Sequence, residues 1–157
     1  MDHSHIVTRF DKDLSEIESL LVEMADLVAK QISDSALALQ LGDNQLAKAV
    51  TKNDSKINRL EEKIDDKAIR LIALRQPMAE DLRSAITTLK VSNCLERMGD
   101  YAKTLSYRAR KVDDFSAMKS ILRSITETSE KIINMLNVVM EAYVNRDLNK
   151  AYNAREA

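Results

Sequence analysis

Two glycines, one proline, one cysteine and no tryptophan are all that this 157-residue chain has of the residues that punctuate, staple or anchor a fold. A β-rich chain needs many tight turns, and with so few glycines and prolines there is little to build them from. Long helices with few interruptions are therefore expected. The single cysteine, Cys94, excludes an internal disulfide framework and fits a reducing compartment. Aromatics are only 4% of the chain, so Leu, Ile, Ala and Met must fill the core, which suits interdigitating helices better than a sheet. Apolar runs such as Leu20-Leu21-Val22 are far too short to span a membrane. The start, Met1-Asp2-His3-Ser4-His5, lacks the basic and apolar segments of a signal peptide, so cytoplasm is the expected location. A net charge of -1 without any basic block gives no footprint for nucleic acid.

What is present is periodicity. Leu14, Ile17, Leu21, Met24, Val28, Ile32, Ala36 and Leu39 recur at steps of three and four, so the pattern predicts an amphipathic helix over 14–39. Gly42 suits the left-handed stop of that helix, and Asp43 suits the N-cap of the next. The second helix carries Leu46, Val50, Ile57, Leu60, Ile64, Ala68 and Leu71 and ends near Arg75. Pro77 suits the first turn of a third helix, so the chain reverses around Gln76-Pro77. Helix three, from about 78 to 110, is expected to turn Leu82, Ile86, Leu89, Leu95, Met98, Ala102 and Leu105 inward. Asp113-Asp114-Phe115-Ser116 breaks the pattern before a fourth helix over 118–145.

Helix four repeats helix one at an offset of about 104 residues: Leu14 falls on Met118, Leu21 on Ile125, Ile32 on Leu136, and Gly42-Asp43 on Arg146-Asp147. The expected fold is all-α: an antiparallel three-helix bundle over 1–112, then 113–157 as the start of a second repeat with a fourth helix and the beginning of a fifth. Helix four then carries a stripe of Ile121, Ile125, Ile132, Leu136 and Met140 that must pack on the first bundle, on another copy of the chain or on a further segment.

Chemistry concentrates on helices two and three. Glu96 and Asp100 are four apart and share a face, as do Asp54, Asn58 and Glu61. If the two helices pair antiparallel about Gln76-Pro77, Asp54 lies opposite about residue 99 and Glu61 opposite about residue 92. That gathers hard oxygen donors suited to Mg²⁺, Ca²⁺, Mn²⁺ or iron. The plainer reading is that Arg97, Lys103 or solvent neutralises the carboxylates. Zinc is not expected, because the only histidines are His3 and His5 near the terminus. Gly99, inside helix three, points to close approach by another helix or a ligand. Cys94 is expected to pack as a small apolar side chain. At the turn, Asp81 favours the helix dipole and would pair with Arg75 or Arg83. No glycine-rich phosphate loop, nucleophile–base pair or Glu-x-x-His di-iron signature occurs, so catalysis is not expected.

The stretch Leu71-Ile72-Ala73-Leu74-Arg75-Gln76-Pro77-Met78-Ala79-Glu80-Asp81-Leu82-Arg83 resembles a signature of the PhoU family, as does Leu95-Glu96-Arg97-Met98-Gly99-Asp100-Tyr101-Ala102. Asp54-x-x-Ile57-Asn58 and Leu60-Glu61-x-x-Ile64-Asp65 are similar to that family's second helix. The resemblance implies two tandem three-helix bundles that associate as homodimers or higher oligomers. It implies negative regulation of phosphate uptake and of Pho-regulon signalling, by contact with the Pst transporter's ATPase subunit and the PhoR sensor kinase. It also implies metal bound by a carboxylate motif, which carries onto Glu96-x-x-x-Asp100 intact. Onto Asp54-x-x-x-Asn58 it carries with an amide that should weaken binding. The Asp81-x-Arg83 pair and Arg75 match a turn expected to contact partners. Against this pattern the chain stops short of completing the second repeat, which implies a truncated protein or one that completes its bundle in trans. The residues leave two other readings open: a metal-storage bundle, and a structural helical adaptor without metal.

Overall fold

The computed structural model describes residues 3–112 and 118–156, with side chains over 9–112 and 118–155. Over these residues the chain forms α1 (His3–Leu41), α2 (Asn44–Arg75), α3 (Ala79–Ala109), α4 (Lys119–Asn145) and α5 (Leu148–Glu156), with no strand. The expected break at 113–116 and the side chains of His3 and His5 lie outside the described residues.

The first three helices pack on one another, and α1 also carries α4 on a second side. That double duty explains why its buried face is wider than one stripe, adding Leu20, Ala25, Gln31, Ser35 and Ala38 to the expected positions. Buried residues of α1 recur as Phe10, Leu14, Ile17, Leu21, Met24, Val28, Gln31, Ser35 and Ala38, alternating steps of four and three. This is the seven-residue repeat of helices packed knob into hole.

The same repeat runs along α3, but through small residues. Ala85, Thr88, Ser92, Leu95, Gly99, Ala102, Ser106 and Ala109 are its buried positions. The expected inner face is corrected accordingly: Leu82, Leu89, Met98 and Leu105 lie half-buried on the flanks, and Ile86 is exposed. Small side chains let α3 approach its neighbours closely, which leaves the longer ones to seal the edges. Gly99 marks the closest approach, since an added Cβ would meet Ile57 Cδ1 at 3.0 Å. Its signal is therefore helix packing. Cys94 is exposed rather than packed, because Leu95 beside it takes the core position.

Helix ends follow local chemistry. Asp43 accepts from the backbone N–H groups of Gln45 and Leu46 to cap α2. Gln76 closes α2 in the left-handed region, and α3 begins at Ala79, so Pro77 sits in the connection and not in the first turn of α3. Gly42 and Arg146 end α1 and α4 with the same left-handed backbone, at φ 64° and 53°. The following Asp43 and Asp147 N–H groups donate to Ala38 O and Ala142 O, both at 2.9 Å. The two stops 104 residues apart thus share one geometry, and α5 restarts from Asp147 as α2 does from Asp43.

Helix four settles on the first bundle through part of its stripe. Leu136 and Met140 are buried in the main core with α1, while Leu122 joins Leu39 and Ala109 in a smaller cluster. Tyr143 shares a 3.1 Å hydrogen bond with Thr88, tying α4 to α3. Ile121, Met135 and Val139 stay exposed.

One polar layer crosses the bundle. Gln31 Nε2 of α1 donates to Asp54 Oδ1 of α2 and to the Gly99 carbonyl of α3, both at 3.0 Å. Replacing Gln31 by alanine leaves two buried acceptors short of a donor. We expect Gln31→Ala to lower the unfolding free energy by about 2–3 kcal/mol in urea titration. A loss below roughly 0.5 kcal/mol would mean that the layer does not hold the helices together.

Candidate functional site on the face of helices two and three

Antiparallel pairing of α2 and α3 brings the sequence-selected donors to one face. Asp54 meets the Gly99 region through Gln31, and Asn93 lies close enough to Glu61 to act on its carboxyl. The expected register therefore holds to within one or two residues. The five candidates do not form one uniform cluster, however, and Lys103 divides them.

Lys103 Nζ lies 2.6 Å from Asp54 Oδ2 and 3.2 Å from Asp100 Oδ1. Asp54 is buried, and with Gln31 on its other oxygen both of its carboxylate atoms are occupied. The hydrogen bond to Asp54 holds the Lys103 ammonium above its ordinary pKa against the opposing effect of burial, and Asp100 adds to it. Of the neutralising groups suggested by the sequence, Lys103 is the one that acts here. Arg97 is directed to the Tyr101 hydroxyl, 3.5 Å away, and not to a carboxylate.

The other end of the face is charged and unmatched. Burial is the first cause that raises the Glu61 carboxyl, followed by Asp65, with Glu62 and Asp100 adding to it. Burial likewise leads in raising Glu96, followed by Asp100 and Glu61. Asn58 Oδ1 is buried without a hydrogen-bond partner among the described residues. Among those residues no three His, Cys, Asp or Glu side chains gather as a preformed metal cage. Two carboxylates and an orphaned amide oxygen do form a hard-donor set of the kind that Mg²⁺, Mn²⁺ or Ca²⁺ accepts, with water filling the remaining positions. The free hard donors therefore lie at the Asn58–Glu61–Glu96 end, whereas those at the Asp54–Asp100 end are taken by Lys103.

The turn residues separate. Arg75 forks onto Asp13 of α1, with Nη2 at 3.0 Å and Nε at 3.1 Å from Oδ2. The expected pairing of Asp81 with Arg75 or Arg83 is therefore corrected: among the described residues neither Arg75 nor Arg83 pairs with Asp81. Asp81 is exposed in the first turn of α3, where it favours the helix dipole. Arg83 is exposed at the rim of a groove of about 430 Å³ that also takes in Glu18, Thr87, Val139, Tyr143 and Arg146. Sequence reading missed Gln31 and Tyr143, and it placed Arg146 only as the stop of helix four. Gln31 was detectable as a polar residue at a seven-residue-repeat position, whereas Arg146 carried no signal beyond replacing a glycine in the repeat.

The fold and its surface define a class: an all-helical bundle whose distinguishing features are a carboxylate face and an exposed charged turn, both suited to binding. A family profile described as the PhoU domain matches residues 21–109. The chain is 37% identical over 147 residues to the "Phosphate-specific transport system accessory protein PhoU homolog" of Caulobacter vibrioides, covering 94% of this chain and 64% of that protein. It is 37% identical over 144 residues to the protein of the same description in Clostridium acetobutylicum, covering 91% and 65%. The crystal structure of PhoU from Pseudomonas aeruginosa superposes with a TM-score of 0.84 at 31% identity, covering 92% of this chain and 69% of that one. The phosphate transport system regulatory protein PhoU from Streptococcus pneumoniae gives 0.85 at 26% identity. The chain belongs to the PhoU family, and it spans just under two thirds of the length of these curated relatives.

The raised carboxyls fix a direction of pH dependence. A carboxyl whose pKa is raised by the fold opposes folding while charged, and that opposition is relieved as pH falls through the folded value. In chelator-containing buffer we expect the unfolding midpoint to rise as pH drops from neutrality toward 4.5, the ordinary value for Glu61 and Glu96. Glu61→Gln with Glu96→Gln should flatten that rise. A midpoint that falls throughout would mean that protonation of salt-bridged acids outweighs it.

Proposed function

We propose that this protein is a cytoplasmic negative regulator of phosphate uptake and phosphate-starvation signalling. It works by contact with the ATPase subunit of a phosphate transporter and with the sensor kinase of the phosphate response, not by catalysis. The observation that carries this reading is the exposed Asp81–Arg83 turn, whose acid and base form no ion pair with each other among the described residues. A charged pair kept in solvent contributes little to stability, so its use lies in recognition. The descriptions of the relatives as accessory proteins of phosphate-specific transport support the same direction. No described helix is long and apolar enough to cross a membrane, so contact with a transporter would be made from the membrane surface or through its ATPase subunit. Arg75 serves this surface indirectly, by fixing the end of α2 to α1 through Asp13.

A divalent cation at the Asn58–Glu61–Glu96 end is the second part of the proposal. It would neutralise a face where burial and like charge now act together. Asn58 in place of a carboxylate lowers the charge count, so exchangeable Mg²⁺ or Mn²⁺ suits the site better than a tightly held iron centre.

Two measurements test these parts. Arg83→Ala should weaken repression of phosphate uptake in cells while leaving the unfolding midpoint of the pure protein within about 2 °C, since exposed substitutions cost at most about 0.5 kcal/mol. Unchanged repression would remove the contact role. Association is also expected, through the exposed apolar residues Ile121, Met135 and Val139 of α4. Light scattering should give a dimer mass for the chain and a monomer mass for Met135→Asp with Val139→Asp. A monomer at every concentration would place no partner copy on that face.

A further inference from the structure

Lys103 occupies a place that the family resemblance would assign to a metal. Its ammonium sits between the buried Asp54 and the exposed Asp100, at 2.6 and 3.2 Å. The remaining oxygen of Asp54 already accepts from Gln31, whose other acceptor is the Gly99 carbonyl. A divalent ion entering here would have to break a charge-assisted bond to a buried carboxylate and would leave the ammonium close by as a like charge. The ammonium is also tethered, so it competes as an intramolecular ligand at high effective concentration. At the opposite end of the same face, Asn58 Oδ1 is buried and unpartnered among the described residues, and neither Glu61 nor Glu96 has a cationic partner there.

We propose that Lys103 is a built-in cation that closes the Asp54–Asp100 end of the face to metal, leaving room for a single divalent ion at the Asn58–Glu61–Glu96 end. The inference rests on the cation reading given above and adds to it a residue that sets both where the ion goes and how many are held. Removing the positive charge removes both the occupant and the repulsion. Asp54 and Asp100 then become free carboxylate donors on rigid helices, which is a second place for an ion.

The test dialyses the 157-residue chain to equilibrium against MnCl₂ and counts bound manganese per chain by mass spectrometry as the excess over the dialysate. Lys103→Met should hold one more ion than the unmodified chain, and Lys103→Arg should hold the unmodified number. Equal counts in the unmodified chain and Lys103→Met overturn the proposal. If the unmodified chain holds none and Lys103→Met holds one, the role of Lys103 stands and the reading of the Asn58–Glu61–Glu96 end falls. One ion in each does the reverse, and none in either removes both.

Because Lys103→Met leaves Asp54 with one bond fewer, a second measurement uses the unmodified chain alone. The rate at which acetic anhydride acetylates Lys103 should not change when MnCl₂ is added. A rise would mean that the ion displaces the ammonium from Asp54, against the proposal.

Discussion

The side chain of Gln31 joins all three helices of the first bundle in one plane, and the placement of everything on the α2–α3 face follows from it. An apolar seam is tolerant of sliding, because a leucine one turn along fits a similar hole. A buried amide with two specified acceptors is not: moving α2 or α3 by one turn would strand Asp54 Oδ1 or the Gly99 carbonyl without a donor. Register in this bundle is therefore set by a polar residue at a core position, while burial of the apolar residues supplies most of the cohesion. The close approach at Gly99, where an added Cβ would press on Ile57 Cδ1 at 3.0 Å, belongs to the same layer.

From that layer α1 continues upward with a second obligation. Its face toward α2 and α3 holds Leu21, Met24 and Val28, and the adjoining face receives Leu136 and Met140 of α4. One long helix thus belongs to two packing units, which fixes α4 against the first three helices without a linker carrying the load. The α4 stop shows what this costs locally. Arg146 adopts a left-handed backbone that Gly42 adopts freely at the matching point, at a penalty of roughly 1 kcal/mol for a residue with a Cβ. The Asp147 N–H bond to Ala142 O and the Asp147 cap on α5 offset that strain.

Much of this was legible in the sequence because helices advertise themselves by period. The stripes of α1 and α2, the Gly42-Asp43 stop, the reversal at Gln76-Pro77 and the restart at Asp147 all follow from local chemistry that tertiary contacts did not override. Reading failed where the buried positions were polar or small. The α3 seam of Ala85, Thr88, Ser92, Gly99, Ala102 and Ser106 contains too little apolar signal to outweigh the leucines beside it, so the inner face was misplaced on Leu82 and Ile86. Cys94 was misjudged for the same reason, since its burial depended on knowing which neighbour held the seam. For the candidate face, the antiparallel register of α2 and α3 was recoverable from spacing. The partition made by Lys103 was not, because it depends on which of several nearby carboxylates one flexible side chain reaches.

That partition has a structural consequence, because Asp54 serves two functions at once. One oxygen belongs to the register layer through Gln31, and the other belongs to the surface through Lys103. Charge on the face is therefore not isolated from the core. Any change in how firmly Lys103 is held alters the electrostatic environment of the buried Asp54 and, through it, the bond that locks α2 to α1. An exposed carboxylate face is thus connected to the core by one lysine and one buried aspartate, whereas a cluster of surface carboxylates alone would be screened within about 10 Å by salt.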